Sequence, residues 1–315
     1  MPQITVVIAL YNKSKYITCA LDSIFNQGFE DLEVIVVDDG STDDGAQVVK
    51  NYNDPRIKLI TQANAGPGAA RNTGLSYVES KYVCFFDADD EYLDGFFSNT
   101  LAFMADNLNC FGVSVDTINE SNEYYQNDRL DRLDLQDVVY RVTPDFDPNK
   151  LSEILDIRGH CTWLYRTEIV KQIGGYYIKS NYGEDQYMVF QLMLLYEFGI
   201  IKLPLHKYHT ELSELCGNDI SDRPPMPLLT DPEPLYKKSP NEMHILIDKF
   251  LELRASGYVI RTMQSAKPNK NMARYLLNKY PYNGGNLRER TKAWTWYYAA
   301  FLMKQLRKRK YRITS

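Results

Sequence analysis

The feature that most limits the architecture is an alternation. Residues 4–10 (Ile-Thr-Val-Val-Ile-Ala-Leu), 33–37, 57–60 and 82–86 are short runs dominated by β-branched and aromatic side chains. Each is too short for a helix; 4–10, 33–37 and 82–86 read as strands buried on both faces, and 57–60 as a shorter third strand. Between them lie segments with apolar residues at helical spacing: Ile17, Ala20, Leu21, Ile24 and Phe25, then Ala46, Val48, Val49 and Tyr52. Ser14 stands where it would cap the first helix. Four strand–helix alternations within about ninety residues predict a parallel, doubly wound sheet.

In such a sheet ligands bind outside the carboxyl ends of the strands. Tyr11, Asp39, Arg71 and the acids of Asp87-Ala88-Asp89-Asp90 follow four different strands, so strand direction alone brings them to one edge. Three carboxylates crowded there repel one another unless a cation lies among them, and hard divalent cations favour oxygen ligands. An exposed turn that caps the next helix is the simpler reading of the same acids. Asp38-Asp39-Gly40-Ser41 is equally open: a helix start, or a carboxylate placed for a base or ribose. The turn Gly66-Pro67-Gly68-Ala69-Ala70-Arg71 lacks the Gly-Lys-Ser/Thr ending of a phosphate loop and the GxGxxG spacing of a dinucleotide site.

Composition narrows the class. Hydrophobic residues make up 44% and charged residues 24%, enough core material for a globular protein. A formal net charge of -5 argues against non-specific nucleic-acid binding. Cys19, Cys84, Cys110, Cys161 and Cys216 are scattered without zinc-site spacing and read as free thiols in a reducing compartment. The sequence runs from Met1 straight into a strand, so no secretory leader is expected. The longest apolar region, residues 188–205, is interrupted by Gln191, Glu197 and Lys202 and cannot span a bilayer as one helix.

The second half is less regular. Residues 111–115 suggest a strand, 156–166 another, and 169–177 a short helix ended by Gly174-Gly175. Met188, Phe190, Leu192 and Leu195 predict a helix after Tyr182-Gly183-Glu184-Asp185. Prolines 224, 225, 227, 232, 234 and 240 predict an extended surface connector over 219–241. From Glu242 the pattern is helical, led by Ile245, Ile247, Phe250 and Leu251. The expected organisation is one domain over 1–215, divided near 105 into a regular and a less regular half, then a proline-rich connector over 216–241. A helical region over 242–315 follows. Its end joins Trp294, Trp296, Tyr297, Tyr298 and Phe301 to Lys304, Arg307, Lys308, Arg309, Lys310 and Arg312. Aromatics beside a basic cluster suit a helix in an anionic membrane interface, or equally a packed helix with a solvated tail.

Five ordered motifs, taken together, resemble the family 2 glycosyltransferases, inverting metal-dependent enzymes of the glycosyltransferase A-type fold. They are Val-Val-Ile-Ala-Leu-Tyr-Asn, Val-Val-Asp-Asp-Gly-Ser-Thr-Asp, Asn-Ala-Gly-Pro-Gly-Ala-Ala-Arg-Asn-Thr-Gly, Phe-Phe-Asp-Ala-Asp-Asp and Gly-Glu-Asp-Gln. The resemblance runs from about residue 4 to 205 and implies a Rossmann-like mixed α/β sheet flanked by helices, with a C-terminal helical extension. It implies a nucleotide site of Ala9, Tyr11, Asp39, Arg71 and Asp87, with Tyr11 against the base and Asp87 on the ribose. Asp89 would ligate Mn2+ or Mg2+ at the diphosphate, and Asp185 would be the catalytic base. His206 and His209 both compete for the family's metal histidine, and His209, which follows a tyrosine, fits the pattern better. Trp163, with Glu184, falls where the family builds part of its sugar-binding wall, although a tryptophan is more often core. The implied partners are a nucleotide-diphospho-sugar donor, a uridine one by preference, and a glycan or lipid-linked glycan acceptor, with no nucleic acid. The implied place is the cytoplasm or the cytoplasmic face of the inner membrane. Two other readings share the fold: a nucleotidyltransferase, which would want a basic glycine-rich loop after the first strand where Ala9-Leu10-Tyr11-Asn12 stands, and an inactive sugar-nucleotide-binding module, which would lack the base or the metal acid.

Overall fold

A computed structural model describes residues 1–121, 133, 138–209, 223–265, 268–281 and 287–298. The chain divides into two compact units: Met1–Thr143 with Glu153–Ser213, and Pro144–Ser152 with Glu214–Ser315. The second unit thus recruits a segment from mid-chain, which no local sequence signal marks.

The first unit opens with β1 (Ile4–Leu10), α1 (Ile17–Phe25), β2 (Leu32–Asp38), α2 (Gly45–Tyr52), β3 (Ile57–Thr61), α3 (Pro67–Tyr77) and β4 (Tyr82–Asp87). It continues through β5 (Glu91–Tyr92), α4 (Phe96–Asp106), β6 (Cys110–Ile118) and β7 (Val139–Tyr140). Then come α5 (Pro148–Ile157), which straddles the boundary between the units, a 3-10 turn at His160–Thr162, β8 (Trp163–Arg166) and α6 (Thr167–Ile173). The unit ends with α7 (Glu184–Leu195) and β9 (Glu197–Lys207). The strands form one mixed sheet in the order β3-β2-β1-β4-β8-β6-β9-β5, with β7 beside β9.

The first four strands are parallel, as the alternation requires. The continuous apolar character of β1, β2 and β4 follows from burial on both faces, whereas β3, with Lys58 and Thr61 exposed, is a half-exposed strand at the end of the sheet. Ile4, Val6, Ile8, Val34, Val36, Cys84 and Phe86 share one hydrophobic cluster with Ile17, Leu21 and Ile24 of α1 and Val49 of α2. The alternate residues Val7 and Val37 face α3 on the other side, where Gly74 lies so close that a Cβ would strike Val7 Cγ1 and come within 3.3 Å of Val37 Cγ2. Glycine in a helix interior costs about 1 kcal/mol relative to alanine. Overpacking a filled core costs about 1–3 kcal/mol, so the close approach decides the residue at Gly74.

Strand order reverses at β1, with β2 on one side and β4 on the other. The register aligns Ala9 with both Val37 and Asp87. The carboxyl ends of β1, β2 and β4 therefore finish level at a topological switch point, the place where an open α/β sheet holds its ligand.

Several local expectations are corrected. Ser14 does not cap α1: the helix begins after Tyr16 without a side-chain cap, and the Ser14 amide donates to Asp43 Oδ2 at 2.9 Å. The strand expected over 156–166 begins only at Trp163, because Asp156 and Ile157 close α5 and a 3-10 turn intervenes. Residues 188–205 are a buried helix end followed by a strand, and among the described residues no helix is long and apolar enough to cross a membrane. Cys84, Cys110 and Cys161 are buried free thiols, whereas Cys19 is exposed; Cys216 lies outside the described residues.

In the second unit, the proline-rich stretch is not extended where it is described. It folds as α8 (Pro227–Thr230), α9 (Glu233–Lys238) and a 3-10 turn at Asn241–Met243. Prolines fall in the first turn of both helices, where a missing N–H costs nothing, and Leu228, Leu229 and Leu235 supply apolar anchors. Two longer helices follow, α10 (His244–Gln264) and α11 (Lys270–Lys279). Leu246, Ile247, Phe250 and Leu251 are buried, but Ile245 is 60% exposed and does not belong to the core stripe. Tyr280, just after α11, donates its hydroxyl to Leu229 O at 2.7 Å and ties the long helices to α8. Residues 287–298 are helical, and the basic cluster from Lys304 onward lies outside the described residues.

Candidate active site

At the switch point the loops after β1, β2 and β3 are clasped together. The Asn12 amide donates to Ser41 Oγ at 3.1 Å, and Asn12 Oδ1 accepts from the Thr42 amide at 2.8 Å. Asn12 takes φ +52°, a conformation asparagine tolerates better than most residues. Tyr11 is left 42% exposed at the end of β1. Asp39 is buried, and its carboxylate accepts from Gln62 Nε2 at 2.7 Å and from the Ala65 and Gly66 amides at 2.9 Å. It thereby fixes the glycine turn that starts α3. Gly66 sits at φ +89° against Asn181, so no side chain fits there.

Beneath these loops five charged groups alternate in sign. Asp185 Oδ2 lies 3.4 Å from His160 Nδ1, and His160 Nε2 lies 3.1 Å from Asp87 Oδ1. Arg71 reaches Asp87 Oδ1 at 2.8 Å with one amino group and Glu184 Oε1 at 2.9 Å with the other. Four elements contribute: α3 brings Arg71, β4 Asp87, the 3-10 turn His160, and the first turn of α7 both Glu184 and Asp185. Two cations thus offset three carboxylates, and the ordering sets their titration. Burial opposes ionisation of Asp87, but His160 and Arg71 outweigh it and hold the group well below the ordinary carboxylate range. Burial likewise works against ionised Asp185, and His160, Arg71 and the Gln186 amide reverse it to a lowered value. Glu184 moves the other way, raised by burial and by the neighbouring Asp185. For His160, burial and Arg71 favour the neutral ring, yet the two aspartates raise it to about 9.

The acids beyond β4 form a second group. Burial, Asp87 and Asp90 push Asp89 up to about 6, against the pull of Lys13, whose Nζ lies 2.7 Å from Asp89 Oδ2. Asp90 is buried and paired with His206 Nε2 at 3.1 Å, while His206 Nδ1 meets Thr117 Oγ1 at 3.1 Å. His209 Nε2 contacts Glu91 Oε1 at 2.6 Å.

Asp89 offers a divalent cation one carboxylate, which Lys13 now pairs, and no grouping of three ligand-type side chains among the described residues includes it. Its carboxylate is a hard ligand destabilised by like charge, a condition that a cation relieves. Two groupings have ligand-type atoms close together: Asp87, His160 and Cys161, and Asp90, Cys161 and His206. The first already contains the charged imidazole and touches Arg71, and the second commits both His206 nitrogens to buried hydrogen bonds. Neither welcomes an ion.

The structure gathers Asp87, Arg71, Glu184 and Asp185 into one cluster, with Ala9 beside Asp87 and Tyr11 at the adjoining strand end. Trp163 is corrected. It is fully buried, stacked on Phe111 at 5.2 Å between centroids, and its Nε1 donates to Arg158 O, so no ring face is offered to a sugar. Glu184 is also buried and engaged with Arg71. Sequence reasoning passed over His160 and Lys13. No local signal marks His160, whose partners stand 73 and 25 positions away.

The fold and the edge cluster define a class: a mixed α/β-sheet protein with a cluster of charged side chains at the carboxyl edge of its strands. The model of glycosyl transferase family 2 matches residues 5–174, more than half of the chain, and the chain belongs to that family. It is similar to the uncharacterized glycosyltransferase YibD of Escherichia coli, 32% identical over 228 residues that take in 68% of this chain and 64% of YibD. The chain spans less than two thirds of the length of the curated relatives it matches. Among solved structures it is similar in fold to Staphylococcus aureus TarS 1-349 in complex with UDP-GlcNAc, with a TM-score of 0.63 at 20% identity, covering 89% of this chain and 80% of that one. It is also similar to the mannosyltransferase PcManGT of Pyrobaculum calidifontis in complex with GDP-Man and Mn2+, with a TM-score of 0.53 at 18% identity, covering 96% of this chain and 75% of that one. These likenesses place the sheet and its flanking helices in the glycosyltransferase A-type fold.

Proposed function

We propose that the chain transfers a sugar from a nucleotide diphosphate, a uridine one by preference, to an acceptor hydroxyl with inversion, using Asp185 as base and a divalent cation at Asp89. The observation that carries this reading is the imidazole of His160. It spans Asp87 and Asp185 in one cluster, so an acid suited to the donor and a carboxylate suited to the acceptor share one site. A nucleotidyltransferase needs no such second carboxylate across from the donor, and an inactive module would not retain it.

In this reading Tyr11 packs against the base, Asp39 and the turn it organises border it, and Asp87 bonds the ribose. Arg71 holds Asp87 in place and balances its charge. Asp89 and His209 are the metal ligands in this reading; both His206 nitrogens are engaged, whereas His209 meets Glu91 through Nε2. Bound Mn2+ or Mg2+ would neutralise the departing diphosphate. Asp185, ionised at neutral pH beside His160 and at a helix start, takes the proton from the acceptor hydroxyl as the glycosidic bond forms. A single displacement leaves the anomeric carbon inverted and needs no second nucleophile.

Thermal-shift screening of nucleotide diphosphates with and without Mn2+, followed by a hydrolysis assay over donor sugars, tests the donor. UDP should raise the melting temperature only with metal, and Asp89→Ala should abolish that shift. Equal shifts with chelator present, or in Asp89→Ala, would refute the metal assignment. A shift with GDP but not UDP would replace the uridine donor.

The acceptor we propose is a glycan or lipid-linked glycan, in surface polysaccharide or glycoconjugate synthesis, met at the cytoplasmic face of the membrane. In the helical stretch 287–298, Trp296 is 38% and Tyr298 54% exposed, ahead of the basic residues 304–312, which supports an interfacial role. Flotation with anionic liposomes should be lost when the chain is truncated after residue 290. Undiminished flotation of the truncated protein would count against it.

A further inference from the structure

We infer that His160 is a positioning residue: it fixes the orientation of the Asp185 carboxylate and ties it to Asp87 on the donor side. The inference rests on Asp185 being the base. Both ring nitrogens of His160 face carboxylate oxygens, at 3.1 Å and 3.4 Å, and the side chain is only 8% exposed. A ring that donates to two carboxylates is an imidazolium and has no lone pair with which to receive the acceptor's proton. It therefore does not replace Asp185. It meets Oδ2 of that residue, and the Gln186 amide also donates to the carboxylate.

A second reason is the economy of charge around the pair. The groups facing His160 and Asp185 are Asp87 on β4, Arg71 on α3, Glu184 on α7, Cys161 in the same turn, Tyr165 on β8 and Tyr176 after α6. Tyr165 and Tyr176 are pushed up by burial and stay neutral, as does Cys161. Arg71 does not contact Asp185; its forks are taken by Asp87 and Glu184. His160 is thus the cation in hydrogen-bonding reach of Asp185 among the described residues. Remove it, and the half-buried carboxylate loses both its anchor and its main support as an anion.

His160→Gln, which keeps the bulk and one neutral donor, and His160→Phe, which keeps neither charge nor donor, test this. With donor held saturating, kcat should fall about tenfold or more in His160→Phe and less in His160→Gln, while the affinity for UDP with Mn2+ stays within about threefold. The acidic limb of the kcat/KM profile for acceptor should move up by about one pH unit in both, because loss of a cation raises the pKa of Asp185. A histidine that merely fills space would lower the melting temperature without moving that limb. Should neither variant fold, NMR titration of ring-labelled histidine in the unaltered protein decides: His160 must stay protonated past pH 8, and titration below pH 7 overturns the assignment. An unmoved limb and undiminished kcat, with Asp185→Asn inactive, overturn the His160 role and leave the base standing. Full activity in Asp185→Asn would overturn both.

Discussion

Under the proposed mechanism, Asp185→Asn should lower the transfer rate by roughly 10²–10⁴-fold, the range a general base contributes, and should leave affinity for the nucleotide diphosphate within a few-fold. Asparagine has nearly the same shape and still presents a carbonyl oxygen to His160 Nδ1, now 3.4 Å from Asp185 Oδ2, so the cluster keeps its geometry. The change also reduces the excess of negative charge, since three carboxylates become two beside His160 and Arg71. Instability therefore cannot explain the loss. What disappears is a group able to hold a proton. Rates at saturating donor, with calorimetry on UDP and Mn2+, make the comparison. Activity within tenfold of the unaltered protein would show that Asp185 is not the base.

The second large effect is on stability. Arg71 is 4% exposed and lies between Asp87 and Glu184, both within 2.9 Å. Arg71→Leu leaves those two carboxylates facing a side chain that can neither donate nor carry charge. Removing one partner of a buried ion pair costs about 3–5 kcal/mol. His160 still supports Asp87, while Glu184, already raised by burial, is expected to take up a proton. The loss therefore belongs near the lower end at acid pH and rises as Glu184 ionises. Urea unfolding at pH 5 and pH 8 measures it. A change below about 1 kcal/mol at both would mean that the pairing contributes little to the fold.

The first ninety residues were legible because each strand there is short and followed by a distinct polar turn, and β1, β2 and β4 are buried on both faces. Strand direction then put Tyr11, Asp39, Arg71 and Asp87 at one edge without any tertiary knowledge. The later half resisted for definite reasons. The helix Glu184–Leu195 was read from Met188, Phe190, Leu192 and Leu195, but the strand Glu197–Lys207 that follows it has no clean alternation. The prolines of 224–240 suggested an extended chain, yet proline in a first helical turn starts a helix as readily as it ends one. Trp163 looked available to a sugar, and only the stacking of Phe111, Trp163 and Tyr165 shows it to be core. His160 was invisible as a functional residue because its meaning comes from Asp87, 73 positions away, and Asp185, 25 positions away.

A family resemblance supplied roles to single residues, but it did not say how those residues hold one another. The alternating chain from Asp185 to Glu184 does. It explains why Arg71 is buried rather than solvated, and why an aspartate in a desolvated cluster stays ionised.

The anomeric configuration of the product is the most direct test of direct displacement with one base. With the donor found by the hydrolysis screen, proton NMR of the purified linkage should show a β-glycoside from an α-linked nucleotide sugar. An α-glycoside would require a second nucleophile or a retaining path, and would contradict Asp185 acting alone across from the diphosphate.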